Sequence, residues 1–171
     1  MKTVLNVHVN LEDIIKKLNN KIKKIHSEVT EDKEKLEINY ITECENKENY
    51  LALLKQRRKL DIIKGFTTKG IHRDDFKCLI NDKEIEIYGS QGQHRTAILS
   101  LKLAELYVIY DEIGEYPILL LDDFMSELDE KRRKSFLSYI KDTQVIITCT
   151  DKMELENIKL FNVTNGKIVD N

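Results

Sequence analysis

Over residues 11–25 the apolar positions are Leu11, Ile14, Ile15, Leu18, Ile22 and Ile25, with Lys16, Lys17, Lys21, Lys23 and Lys24 between them. That spacing predicts an amphipathic helix with a basic outer face. Residues 36–41 alternate instead, with Leu36, Ile38 and Tyr40 set against Glu37 and Asn39, and read as a strand. Helical spacing returns over 49–64 through Leu51, Leu54, Leu60 and Ile63. Residues 76–80 and 84–88 flank Asn81, Asp82 and Lys83, which predicts a hairpin. Residues 91–113 form a long helix whose apolar residues occupy too many positions for a single stripe, so it should be covered on more than one side.

An apolar strand is expected from Pro117 to Leu121, a charged amphipathic helix over 130–140 and a second apolar strand over 144–149. The chain should close on a hairpin, 160–163 with 168–169, turned by Asn165-Gly166. From residue 91 on, helix, strand, helix and strand alternate, which indicates an α/β fold with a parallel sheet. The order suggests two parts: residues 1–66, mainly helical with one strand, and residues 67–171, the α/β part.

Composition adds less. The 171 residues are 41% apolar and 34% charged, enough for one good core. The net charge of −2 conceals an asymmetry: residues 1–75 hold 16 basic against 13 acidic side chains, and the remainder 12 against 17. Any DNA contact must therefore come from a local basic patch. Cys44, Cys78 and Cys149 make no metal pattern and are expected to be buried, reduced thiols. Asn6, His8 and Asn10 interrupt the apolar residues near the N-terminus, which is not the core of a signal peptide. No run approaches the roughly 18 apolar residues that cross a membrane. A cytoplasmic location is expected.

Two stretches carry candidate chemistry. Gly89-Ser90-Gln91-Gly92-Gln93 opens the long helix. A glycine lets a ligand approach the backbone, and the helix start offers free N–H groups and a positive dipole end. Ser90 either donates to a phosphate oxygen or serves only as an N-cap. Arg95 either adds charge there or faces solvent. In the second stretch, Ile118-Leu119-Leu120-Leu121 runs into Asp122 and Asp123. Ligands of open α/β sheets bind at the carboxyl ends of strands. Asp122 would hold Mg²⁺ and Asp123 would face an attacking water, or the pair simply opens a helix-entry loop.

Other motifs are weaker. His72-Arg73-Asp74-Asp75 lacks what a kinase catalytic loop requires and either binds phosphate or pairs internally. His8, His26 and His94 read as surface residues. Asp129 reads as a helix cap, and Lys131, Arg132 and Arg133 as a solvated face. No phosphate loop of the form G-x-x-x-x-G-K-[ST] occurs in the chain.

The order and spacing of 70–76, 89–96, 101–105, 114–123 and 126–129 closely resemble the C-terminal half of the RecF family of bacterial DNA replication and repair proteins. These are ABC-type ATPases related to the heads of SMC proteins. The resemblance implies the C-terminal part of an ABC-type head, an incomplete P-loop NTPase sheet, with part of a helical arm over about 10–65. It makes Ser90, Gln91, Gly92 and Gln93 the signature turn, which contacts ATP held by the opposite subunit. It makes Asp122 and Asp123 the Walker B acids and Ser126 to Asp129 the D-loop, which touches the partner. Thr150 stands near the position where many ABC proteins have a His.

Family membership further implies ATP and Mg²⁺ as cofactors. The implied partners are gapped or single-stranded DNA, recombination mediator proteins, and a second copy or an N-terminal-half partner. The implied roles are gap repair and SOS induction. Arg57, Arg58 and Lys59, with the Lys16–Lys24 stretch, are the candidate DNA patch or else solvated helix faces. Without a phosphate loop the chain alone is expected not to turn over ATP. The alternative is a non-enzymatic remnant or interaction fragment that does not bind ATP alone. Lacking neighbours, the Walker B strand should show an unpaired edge and an uncovered apolar face.

Overall fold

The structure, a computed structural model, describes residues 2–43, 46–123, 125, 128–150 and 158–169, with side chains described from residue 11 onward except Lys47. Helix α1 (Lys2–Thr30) is followed by β1 (Leu36–Ile41), α2 (Lys47–Lys64), a 3-10 turn (Ile71–Arg73) and β2 (Asp75–Ile80). Then come β3 (Lys83–Glu84), α3 (Ile85–Tyr88), α4 (Gln91–Ile113), β4 (Leu119–Asp122), α5 (Glu130–Tyr139), β5 (Val145–Thr148), β6 (Asn162–Thr164) and β7 (Lys167–Val169).

The core forms where α1 lies along α4. Ile22, Ile25 and Val29 of α1 meet Leu99, Leu103, Ala104 and Leu106 of α4, with Leu36 and Ile38 of β1 and Phe136 of α5 in the same cluster. Ile22, Leu99 and Phe136 are wholly inaccessible to solvent. Each such side chain contributes roughly 1.5–3 kcal/mol by leaving water. Lys21 pairs with Asp111 at 2.6 Å and Lys17 with Glu112 along the rim of the two helices. Asn19 ties α1 to β1 as a backbone mimic: its amide donates to Ile38 O (2.7 Å) and accepts from Ile38 N (2.8 Å).

β1 pairs antiparallel with β2 from Leu36↔Ile80 to Ile41↔Asp75, so the strands on either side of residue 66 share one sheet. The hairpin expected over 76–88 is shorter than its sequence suggested. Asn81 and Asp82 both take positive φ (49° and 65°), a tight two-residue turn. β3 then ends at Glu84, and residues 85–88 make one helical turn instead of a strand. Ile85 is the residue of that turn that reaches the core, while Ile87 and Tyr88 stay 66% and 69% exposed. Gly89 N–H closes the turn on Ile85 O at 2.8 Å.

β4, α5 and β5 form a β-α-β unit whose strands pair in parallel, Leu119↔Val145 to Asp122↔Thr148. Among the described residues this sheet has two strands only. Its outer side is bare: Leu120 is 70%, Ile118 60% and Ile146 54% exposed. The expected uncovered face is therefore present. It continues as a groove of about 390 Å³ between β4 and the side of α4 bearing Ile98 and Ile109. The terminal hairpin turns at Asn165-Gly166 as expected, and every residue of it is exposed. No helix among the described residues is long and apolar enough to cross a membrane.

Candidate functional site

The N-terminus of α4 is built from a reciprocal cap. Ser90 Oγ accepts from Gln93 N (3.3 Å), and Gln93 Oε1 accepts from Ser90 N (2.9 Å). The Ser90 hydroxyl accepts in this cap, so its own proton remains available to a ligand. His94 is not a free surface residue: its ring Nδ1 donates to Ser90 O at 2.9 Å, and the ring lies over Gly89.

The two glycines of the turn differ in kind. A Cβ on Gly89 would stand 2.5 Å from Ile85 O and 2.9 Å from the His94 ring, so packing alone demands glycine there. A Cβ on Gly92 would meet nothing closer than an Arg132 nitrogen at 3.7 Å and Ser90 Oγ at 3.9 Å. The fold does not require glycine at 92, where it costs a helix roughly 0.5–1 kcal/mol relative to alanine. Its lack of a side chain leaves the first turn of α4 open beside a guanidinium.

That guanidinium is held from two sides. Arg132 Nε donates to Thr96 Oγ1 (2.7 Å), which itself donates to Gly92 O (2.8 Å), and Arg132 also pairs with Asp129. Asp129 Oδ1 caps α5 by accepting from Arg132 N at 2.9 Å. These bonds from Arg132 hold the Asp129 carboxyl below the usual range, the backbone one foremost. The expectation of a solvated basic face over 131–133 is thus corrected. Arg133 turns inward to donate to Met125 O (3.1 Å) and Leu128 O (3.2 Å). Lys131 pairs with Glu31, whose carboxyl is held at about 2 by Lys131 and then Lys33. Ser126 lies outside the described residues.

Asp122 and Asp123 stand at the carboxyl end of β4, both exposed. Register places Thr148 opposite Asp122, and its hydroxyl donates to Asp122 Oδ1 at 2.5 Å. Asp123 takes φ 48°, and its N–H reaches Thr148 O and Oγ1, each at 3.1 Å. The left-handed conformation is uncommon for a non-glycine residue, though Asp tolerates it better than most, and here the bonds to Thr148 fix it. Thr148 is the residue that register sets beside the acids, and Thr150 stands exposed just beyond the end of β5. A polar residue ending the apolar run Val145-Ile146-Ile147 is the signal that could have found it. The donor set of hard oxygens at this strand end fits Mg²⁺, which takes one or two carboxylates and keeps water or phosphate as its other ligands.

The structure brings the turn at residues 90–93 and Asp129 together through Arg132. Asp122 lines the same groove as Ile98 and Lys102, roughly two to three turns into α4. Arg58 and Lys59 are exposed on α2 and Arg57 is half-buried, but α2 makes only sparse contact with the other elements. In the Lys16–Lys24 stretch, Lys17 and Lys21 are engaged by acids of α4, while Lys23 and Lys24 are exposed. His26 corrects a sequence expectation: it is wholly buried, not on the surface. The expected burial of the thiols also fails, since Cys149 is exposed and Cys78 half-buried; Cys44 lies outside the described residues.

A strand ending in adjacent acids, a parallel partner reached through a helix, and a long helix opening on a Ser-capped glycine turn define part of an ABC-type ATPase head. No protein-family model matches the chain. It is 47% identical to the DNA replication and repair protein RecF of Clostridium tetani, over 97% of this chain and 49% of that protein. It is 46% identical to RecF of Clostridium perfringens, over 90% of this chain and 45% of that protein. The recombination mediator protein RecF-ATP in the RecFOR pathway superposes with a TM-score of 0.83 at 36% identity, covering 98% of this chain and 47% of that one. The RecF-ATPrS structure matches with the same TM-score of 0.83 at 37% identity, over 96% and 46%. The chain belongs to the RecF family and spans about half the length of the relatives it matches.

Proposed function

We propose that the chain supplies the signature turn and the Walker B acids of a RecF-type ATPase acting in DNA replication and repair. The phosphate loop would come from outside these 171 residues, for example on an N-terminal-half partner. The observation that carries this is Gly92: an open, glycine-floored helix start that the fold itself does not need, flanked by Arg132. Gln91 and Gly92 fall among the helix-start N–H groups that lack intrahelical acceptors, and with the Ser90 proton they are donors suited to the outer phosphate of ATP bound elsewhere.

Asp122 would hold Mg²⁺, which when bound neutralises phosphate charge. Asp123, with its backbone fixed by Thr148, would accept a proton from, or orient, the attacking water. Arg57, Arg58, Lys59 and the exposed lysines of α1 would meet DNA phosphates. The family reading extends to gapped DNA, recombination mediator proteins, SOS induction and a cytoplasmic location. The test is ATP-dependent association with a RecF chain that carries the phosphate loop, followed by sedimentation. Gly92→Glu places a carboxylate where the phosphate would lie, yet suits a helix N-terminus beside Arg132 and should fold. Association with ATP that Gly92→Glu abolishes is the expected result. Absence of ATP-dependent association in the unsubstituted chain would leave the interaction-fragment reading.

A further inference from the structure

A chain of polar side chains runs from the buried core to the signature turn, and the turn's own sequence gives no hint of it. His26 is fully buried between α1 and α4, with Nδ1 2.9 Å from Ser100 Oγ. Ser100 Oγ donates to Thr96 O (2.9 Å), so the ring donates from Nδ1 to Ser100. The other ring nitrogen, Nε2, is buried without a hydrogen-bond partner and lies 3.5 Å from Glu34 Oε2. The second oxygen, Glu34 Oε1, accepts from Gln93 Nε2 at 2.9 Å. Gln93 in turn holds Ser90 N–H through its Oε1. One carboxylate, from the loop between α1 and β1, thus touches both a buried imidazole and the side chain that completes the cap.

Gln93 has two amide ends and both are used. Its oxygen is committed to Ser90 and its nitrogen to Glu34, so Glu34 fixes the side-chain rotamer on which the reciprocal cap depends. An unrestrained glutamine loses rotamer entropy when it closes such a cap. Glu34 removes part of that cost, since its own backbone is held beside the end of α1, where Thr30 Oγ1 lies 3.4 Å from Glu34 O, and at the start of β1. We infer that Glu34 is a positioning residue for the signature turn, and that it links the state of helix α1 to the geometry of Ser90 and Gln93. The nucleotide consequence rests on the function proposed above; the positioning itself does not.

The experiment is amide hydrogen exchange and NMR on the full chain, without nucleotide. Glu34→Ala is expected to speed exchange of the Ser90 amide by about two- to thirtyfold, the range that loss of a helix cap gives. Glu34→Gln keeps an oxygen that can accept from Gln93 Nε2 and is expected to stay within about twofold of the parent. In the parent, the Gln93 side-chain amide signals should shift with the titration of the His26 ring, for which Glu34 is the charged group acting on it. In Glu34→Ala that shared titration should vanish. Unchanged Ser90 exchange in Glu34→Ala, with faster exchange in Gln93→Ala, would overturn the inference. So would a Glu34→Gln loss as large as that of alanine, or a Gln93 signal indifferent to His26. None of these readouts involves ATP, so their failure leaves the nucleotide reading standing. A failed ATP-dependent association with normal exchange would overturn that reading alone.

Discussion

The start of α4 and the end of β4 carry the two halves of the candidate chemistry, and the chain completes only one of them. Around Ser90 to Gln93 every supporting contact comes from within the chain: the reciprocal cap, Glu34 behind Gln93, and Arg132 joining Thr96 to Asp129. At Asp122 and Asp123 β4 has one neighbouring strand among the described residues, and the apolar side chains that lead up to the acids are bare on one side. A site whose framework is internal can be organised before its ligand arrives. A strand with Leu120 70% exposed gains its framework only when something covers it.

The sharpest contrast is in packing. Phe136→Ala, at a side chain with no solvent exposure, is expected to cost about 3–5 kcal/mol in urea unfolding. Leu120→Ala should stay within about 0.5 kcal/mol in the chain alone, as an exposed substitution does. A large Leu120 effect would mean that the outer side of β4 is already covered, most simply by a second copy. Next come the glycines. Gly89→Ala should destabilise by about 1–3 kcal/mol because its Cβ meets Ile85 O. Gly92→Ala should leave stability unchanged or raise it by up to about 1 kcal/mol. Equal losses at both would remove the argument that Gly92 is kept for a ligand.

His26 gives a pH signature at the built end. Burial pushes its imidazole below the ordinary value of 6.5, against the opposing pull of Glu34. The unfolded chain then binds a proton before the folded one does, so this contribution to stability is full above about pH 6.5. It is lost progressively as pH falls through the folded value. Urea midpoints measured from pH 7.5 to 5 should fall more steeply in the parent than in His26→Gln; parallel curves would contradict the assignment. The smallest expected effect is on DNA. Neutralising Arg58 and Lys59 together should reduce the logarithmic salt slope of binding by up to about 2, one phosphate each. An unchanged slope would place the DNA surface elsewhere.

The parts of this picture legible in sequence are those with local signals. Both ends of α4 fall where the sequence put them, because Ser90 with Gln93 marks the start and Gly114, at φ 81°, marks the stop. The parallel pairing of β4 with β5 followed from two apolar runs separated by a helix. Residues 84–88 misled because Ile85 and Ile87 alternate like a strand, whereas the burial of Ile85 and the close packing of Ile85 on Gly89, which a Cβ would block, favour a helical turn. His26 looked like a surface residue among lysines, yet it stands four residues after Ile22 and three before Val29, on the apolar face of α1. Arg132 and Arg133 read as a charged run; their partners, Thr96 and the carbonyls of Met125 and Leu128, become neighbours only after folding. Glu34 and Gln93 are 59 positions apart, and no local pattern announces their bond.

The claim at the centre of this account is that these 171 residues hold one part of a RecF-type site and depend on a phosphate loop from elsewhere. ATP hydrolysis by the purified chain alone, compared with its Asp123→Asn variant, tests it most directly. The expected result is no turnover above the variant's background. Turnover by the unaided chain that Asp123→Asn abolishes would contradict it.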